Sequence, residues 1–156
     1  MEMAEIQRRW QAAKDNLAAA RLCHDHGLYG AGVTRSYYSC VQAMWIAVGD
    51  PPTGWWRHGG LIDRFCRGQW AIPAIAPRAM KSTRHSLMEL YDLRRKVDYY
   101  AETTTISQSQ LGVDLANQIL QLVAQQKSLA HVINLCSTKR ETFRVHASAC
   151  SLKAGL

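Results

Sequence analysis

The chain has 156 residues, of which 47% are hydrophobic and 20% charged, and its formal net charge is +7. A chain of this length can bury one hydrophobic core, and its composition excludes an intrinsically disordered protein. It has no apolar run long enough to cross a membrane, and Glu2 and Glu5 occupy the region where a signal peptide is positively charged. We therefore expect a cytoplasmic protein with no membrane partner.

The first half of the chain predicts two long helices. Apolar residues near the N-terminus recur at steps of three and four, the period of one helix face: Ile6, Trp10, Ala13, Leu17 and Ala20. We predict a first helix over residues 2–26, because Gly27 readily adopts the left-handed conformation that ends helices. A second helix is predicted over residues 28–48, where Gly49-Asp50-Pro51-Pro52 stops it.

The second half predicts a short helix and two further long ones. The short helix covers about residues 58–68, and Pro73 and Pro77 place a loop after it. A long helix follows over residues 79–102. The last helix runs to about Cys136, with Ser107 or Ser109 as its N-cap.

The predicted fold class is all-α: an up-and-down four-helix bundle with an extra short helix in the loop between the second and third long helices. The bundle domain covers residues 1–136, and residues 137–156 form a basic tail whose lost periodicity predicts partial disorder. The last helix carries few charges, so it either packs on two sides within the chain or forms a homodimer. The five cysteines, an odd number with no CxxC motif, predict reduced thiols.

Positive charge is concentrated in the middle of the chain. Between Arg57 and Lys96 there are nine lysines and arginines against three carboxylates. Such a stretch attracts phosphates, which favours a nucleotide or RNA partner. The alternative is a set of solvated helix faces without a ligand. Three tryptophans in or near this stretch either stack bases or cap the core: Trp55, Trp56 and Trp70.

Two segments carry the candidate binding residues. In the second helix Arg35 and Tyr38 are three residues apart and share a face, whereas Tyr37 is expected to point elsewhere. In the third long helix Arg94 and Asp98 are four residues apart, close enough for an ion pair. A buried pair directs the guanidinium inward, where it either holds a phosphate through two parallel hydrogen bonds or serves structure alone.

The order of these motifs resembles the HEPN family. A glycine-containing turn leads into the second helix in GLYGAGVTRSYYSCVQAMW, a loop with a histidine follows in RHGGLI, and a later helix ends in LRRKVDYY. The resemblance covers about residues 5–135. The residues that match the family's motifs are Arg35, Tyr37 and Tyr38 in the first, His58 in the loop, and Arg94, Asp98 and Tyr99 in the last.

The resemblance implies a helical bundle, usually a homodimer, often paired with a minimal nucleotidyltransferase in a toxin–antitoxin system. It implies nucleotide or RNA binding without a cofactor, with catalysis left to the partner. The ligand-binding residues would be Arg35, Tyr38, Arg94, Asp98 and Tyr99. No metal site is expected. His24 and His26 in the first helix are two residues apart and point to different faces, and no further ligand stands at a suitable spacing.

Members of the family with an Arg-x4-6-His motif cleave RNA without a metal. This chain departs from that motif, because Tyr99 stands where the histidine would follow Arg94, and a tyrosine of ordinary pKa is a poor base. One alternative is a metal-independent ribonuclease in which Arg94 works with a histidine brought near in space, His58 being the best candidate. Another is a non-catalytic helical interaction module.

Overall fold

Five α-helices make up the part of the chain that the computed structural model describes, residues 1–71 and 80–126. In chain order they are α1 (Met3–Asp25), α2 (Tyr29–Val48), α3 (His58–Cys66), α4 (Lys81–Tyr100) and α5 (Ile106–Ala124). These residues contain no strand, which confirms the all-α class. None of the described helices combines the length and the apolar character that a membrane span requires.

The ends of the first four helices agree with the predicted ones to within two residues. Two glycines explain where α1 and α2 stop, since Gly27 has φ +75° and Gly49 has φ +86°. Side chains with a Cβ rarely adopt this left-handed backbone, so glycine ends a helix there at low cost. The predicted loop with Pro73 and Pro77 lies outside the described residues.

The prediction for the N-terminus of α5 is wrong, because its N-cap is Thr105 and not Ser107 or Ser109. The Thr105 hydroxyl accepts a hydrogen bond from the backbone N–H of Gln108, and the side-chain oxygen of Gln108 accepts one from the backbone N–H of Thr105. This reciprocal capping box satisfies two backbone donors at once. At the other end α5 stops at Ala124; residues 127–136 of the predicted helix and the predicted tail, residues 137–156, lie outside the described residues.

Helix α2 lies at the centre and contacts each of the other four helices. It packs with α1 and α5 on one side and with α3 and α4 on the other, whereas α4 and α5 barely touch. Large side chains that are fully buried mark the core: Tyr37, Met44, Ile46, Phe65, Leu87 and Ile119. The core therefore follows α2, and every other element is positioned relative to that helix.

Small residues let α2 approach its neighbours closely. A Cβ atom on Gly32 would lie 2.8 Å from the hydroxyl of Ser109 on α5, and one on Gly30 would lie 3.1 Å from Val97 on α4. Both distances are shorter than ordinary van der Waals contact. Within the described residues the thiols of Cys23, Cys40 and Cys66 are free, as expected; the other two cysteines lie outside them.

Candidate functional site

A buried arginine lies at the contact between α2 and α4. Arg94 is only 7% exposed, and its Nε lies 2.7 Å from Oδ2 of Asp98, one turn along α4. Its Nη2 donates a hydrogen bond of 2.5 Å to the Tyr38 hydroxyl on α2. A charge taken out of water needs such partners, because an unpaired buried cation is costly. The guanidinium is therefore fixed between the two helices and does not extend into solvent.

The sequence of α2 explains why α4 docks there. Gly30, Thr34 and Tyr38 follow one another at steps of four and so form one face of the helix. Gly30 makes room for Val97, and the Thr34 hydroxyl donates to Oδ1 of Asp98 at 2.7 Å. Asp98 thus bridges the helices, with one oxygen on Thr34 and the other on Arg94.

Three tyrosine rings surround the guanidinium. The central carbon of Arg94 lies 5.1 Å from the ring centre of Tyr38, 5.3 Å from that of Tyr99 and 5.9 Å from that of Tyr37. These are cation–π distances. Burial by itself lowers the pKa of Arg94, but Tyr38, Tyr99 and Asp98 outweigh burial and raise the pKa above its usual value. Arg94 therefore carries its charge at any physiological pH.

A histidine also contacts the ring of Tyr37. His58 is the first residue of α3, and its Nδ1 lies 2.5 Å from the buried hydroxyl of Tyr37. The imidazole also stacks on Tyr91 of α4, with the ring centres 5.3 Å apart. Burial, and to a smaller extent the charge of Arg94, lowers the pKa of His58 below its ordinary value, so His58 is neutral at neutral pH.

The outer rim of this site is aromatic and basic. Tyr99 is 67% exposed, and Tyr91 and His58 are half-buried. The guanidinium of Arg95 lies 5.7 Å from the ring centre of Tyr91, with its own side chain half-exposed. We call the whole group the Arg94 cluster, defined by these residues: Tyr37, Tyr38, His58, Tyr91, Arg94, Arg95, Asp98 and Tyr99.

The structure brings most of the predicted site residues together, but it separates Arg35 from them. Arg35 is exposed and donates to Asn16 of α1 at 3.4 Å. Helices α1 and α4, both fully described, make no contact with each other, so Arg35 serves a different interface from Arg94. The expectation that Tyr37 points away from the site is wrong, because its ring lies between Arg94 and His58.

Three contributors were not anticipated from the sequence: Tyr91, Arg95 and Thr34. Tyr91 precedes Arg94 by three residues and Arg95 by four, a spacing that puts all three on adjoining parts of one helix face. Thr34 precedes Tyr38 by four residues, so the same spacing argument puts these two side chains on one face of α2. The spacing shows a shared face, but it does not show which neighbouring helix that face meets.

Other features of the described residues lie away from the cluster. A groove of about 650 Å³ runs between α4 and α5 and is lined by Leu90, Leu93, Leu111 and Leu115 among others, with Arg94 not among them. Residues 1–71 and 80–126 hold no group of three or more metal-ligating side chains. Trp56 and Trp70 pack against the core and bond to backbone carbonyls, whereas Trp55 is exposed.

Comparison of the chain with protein-family models and with curated proteins finds no match. What the site does is therefore argued from its own geometry and charge.

Proposed function

We propose that this protein binds RNA or nucleotides through the Arg94 cluster, as a HEPN-type accessory or toxin-like protein. The observation that carries the proposal is a fixed, permanently charged guanidinium beneath an exposed ring, with a neutral histidine and a second arginine at its edge. Each of these groups matches one part of a nucleotide. No other described surface combines them.

The rings supply the surface for bases. Tyr99 presents its face to solvent, and a base that stacks on it would lie above the guanidinium on the other side of the ring. Stacking on an aromatic face is tolerant of base identity, because every base has a π-face. Unstacked bases occur in single-stranded RNA, which makes this the favoured form of the ligand.

The basic groups supply the attraction for phosphate. Arg94 and Arg95 carry two positive charges at the cluster; Asp98 pairs with Arg94, and Asp92 lies 4.0 Å from Arg95 on the exposed surface. Arg57, which directly precedes His58 in the sequence, is exposed as well. A phosphate bound at this rim would release counterions, so the affinity should fall as salt concentration rises.

The remaining elements of the proposal concern assembly. The four long helices would be arranged up and down, the molecule would act as a homodimer, and a minimal nucleotidyltransferase would be its partner in the cytoplasm. The support is the order of the HEPN-like motifs on α2, α3 and α4, whose residues other than Arg35 lie in the Arg94 cluster. Co-purification with the product of a neighbouring gene would test the partner directly.

Fluorescence anisotropy with a labelled single-stranded RNA oligonucleotide tests the binding proposal. Tyr99→Ala should weaken binding by about tenfold, since stacking on one aromatic ring contributes about 1–3 kcal/mol. The matched control is Tyr100→Ala, because Tyr100 is 66% exposed and its ring makes no cation–π contact with Arg94 among the described residues. Equal losses in both variants, or no salt-dependent binding by the native protein, would refute the proposal.

A second candidate function is RNA cleavage without a metal, and one observation favours it. Arg94 and His58 flank the ring of Tyr37, at 5.9 Å and 5.5 Å from its centre. In such a reaction the 2′-hydroxyl attacks the adjacent phosphorus and gives its proton to the neutral imidazole of His58. The bond to the 5′ oxygen then breaks, and that oxygen takes the proton back from the imidazolium. The arginine would stabilise the phosphorane charge.

Incubation of the purified protein with labelled RNA, with and without a chelator, separates the two candidates. Cleavage that persists in the chelator and disappears in His58→Gln would establish the ribonuclease. Binding without cleavage would leave the protein as a binding component whose catalytic step belongs to the partner.

A further inference from the structure

We infer that Tyr37 fixes His58 as a hydrogen-bond donor, so that the imidazole presents its Nε2–H, and not a basic nitrogen, to a phosphate oxygen of the ligand. The inference rests on the proposed function only for the identity of the acceptor. The orientation of the proton follows from the contacts of Tyr37 alone. Tyr37 is a positioning residue in this arrangement, since it acts through His58.

The argument begins with the buried phenol. Tyr37 is fully buried, and burial raises its pKa far above the ordinary value, so the hydroxyl keeps its proton. A buried hydroxyl hydrogen requires an acceptor, because leaving it unpaired costs about 1–3 kcal/mol. Among the described residues the only hydrogen-bonding atom at this hydroxyl is Nδ1 of His58, at 2.5 Å. The phenol therefore donates and Nδ1 accepts.

This direction determines the tautomer of the imidazole. A neutral imidazole has one nitrogen with a proton and one without. If Nδ1 accepts from Tyr37, the proton is on Nε2. Within the described residues Nε2 has no protein partner, and it is not a fully buried atom, so it remains available to a ligand.

The same bond disfavours a second proton on the ring. Protonated histidine donates from both nitrogens. Its Nδ1–H would then point at the Tyr37 oxygen, and the phenol hydrogen would lose its acceptor inside the core. The nearby charge of Arg94 opposes protonation as well. Two carboxylates of α4 lie near the cluster: Asp98 is held by Thr34 and Arg94, and Asp92 lies 4.0 Å from Arg95. Among the described residues, therefore, no carboxylate pairs with His58 to offset this.

A ligand at this site therefore meets a neutral donor, with the exposed Arg95 at the rim and the charge of the buried Arg94 beneath. Such an arrangement suits an anionic oxygen of a phosphodiester or a phosphomonoester, which accepts hydrogen bonds and donates none. It does not supply a general base for a 2′-hydroxyl, because the accessible nitrogen already carries a proton. The inference thus favours binding over cleavage at the Arg94 cluster.

Nitrogen-15 NMR of the imidazoles of the full-length protein tests the inference without any ligand. The chain has six histidines, and the signals of His58 are those that disappear in His58→Gln. At neutral pH we expect a protonated Nε2 and an unprotonated Nδ1. A protonated Nδ1, or an average of the two tautomers, would overturn the inference.

Two phenylalanine variants test whether the Tyr37 hydroxyl sets the tautomer of His58. Tyr37→Phe keeps the ring and removes the donor, so His58 should become a mixture of tautomers and its pKa should rise. Tyr38→Phe removes the hydroxyl that faces Arg94 and leaves that of Tyr37 in place, so the His58 tautomer should not change. An unchanged tautomer in Tyr37→Phe would refute the positioning role.

Titration with uridine monophosphate then tests the acceptor. A saturable shift of the His58 Nε2 signal, lost in Tyr37→Phe, supports donation to phosphate. A native protein with the expected tautomer and no shift would overturn the ligand half of the inference together with the proposed function, while the positioning by Tyr37 would stand.

Discussion

The two sides of α4 differ sharply in how they are packed. The side that faces α2 and α3 carries the buried Arg94 and packs against the buried Tyr37 of α2 and against the half-buried Tyr38 and His58. The side that faces α5 leaves a groove of about 650 Å³ with leucines along it, and Leu111 is 68% exposed. The side towards α2, the polar side, is closed by an ion pair and aromatic rings, whereas among the described residues α4 and α5 leave a groove between them that leucines and polar side chains line together.

The largest effect is expected on the polar side. Arg94→Met should destabilise the fold by about 3 kcal/mol, because it removes the charged partner of both the Asp98 carboxylate and the Tyr38 hydroxyl. Adding Asp98→Asn should recover part of that loss, since the amide oxygen can still accept from Thr34. Denaturant unfolding of the two single variants and the double variant measures the coupling. Additive losses would show that the ion pair does not stabilise the α2–α4 contact.

The next effect concerns the contact between α2 and α5. These two helices pack closely, in contrast to α4 and α5. Gly32→Ala should cost about 2 kcal/mol, because the new Cβ would meet the Ser109 hydroxyl at 2.8 Å and force the helices apart. Gly59→Ala is the matched control: it lies in α3 with nothing near a Cβ, and it should be neutral or slightly stabilising. Thermal denaturation of both variants gives the comparison.

A smaller effect is expected from pH. The pKa of His58 is lowered in the folded state, chiefly by burial, so the unfolded chain takes up this proton at a higher pH than the folded one. The stability from this group is complete above the ordinary value of about 6.5 and declines as the pH falls towards the folded value. His58→Gln should reduce this decline, and unfolding in denaturant at a series of pH values measures it for the native protein and the variant.

The smallest effect is expected in the groove. Leu111→Gln should change the free energy of unfolding by no more than about 0.5 kcal/mol, because the side chain is exposed. Leu87→Ala, at a fully buried leucine of α4, should cost about 2–5 kcal/mol. A comparable loss from Leu111→Gln in urea unfolding would mean that the groove is covered in solution, and the contrast between the two sides of α4 would fail.

Several features of this protein were determined by the sequence alone. The period of the apolar residues predicted the five described helices and the ends of the first four, because helix formation and termination depend on neighbouring residues. The spacing of Arg94 and Asp98 likewise predicted their ion pair, since residues four apart on a helix are neighbours. The Thr105 cap was available from the same local pattern but was assigned to the wrong residue.

Only the tertiary structure decided which faces meet. The sequence grouped Arg35 with Arg94 and set Tyr37 apart, whereas the packing sends Arg35 to α1 and places Tyr37 between Arg94 and His58. The physical reason is that helix period fixes angles within one helix and leaves open the rotation of each helix against its neighbours. That rotation is set by Gly30 and Gly32, where the absence of a side chain lets α4 and α5 approach α2.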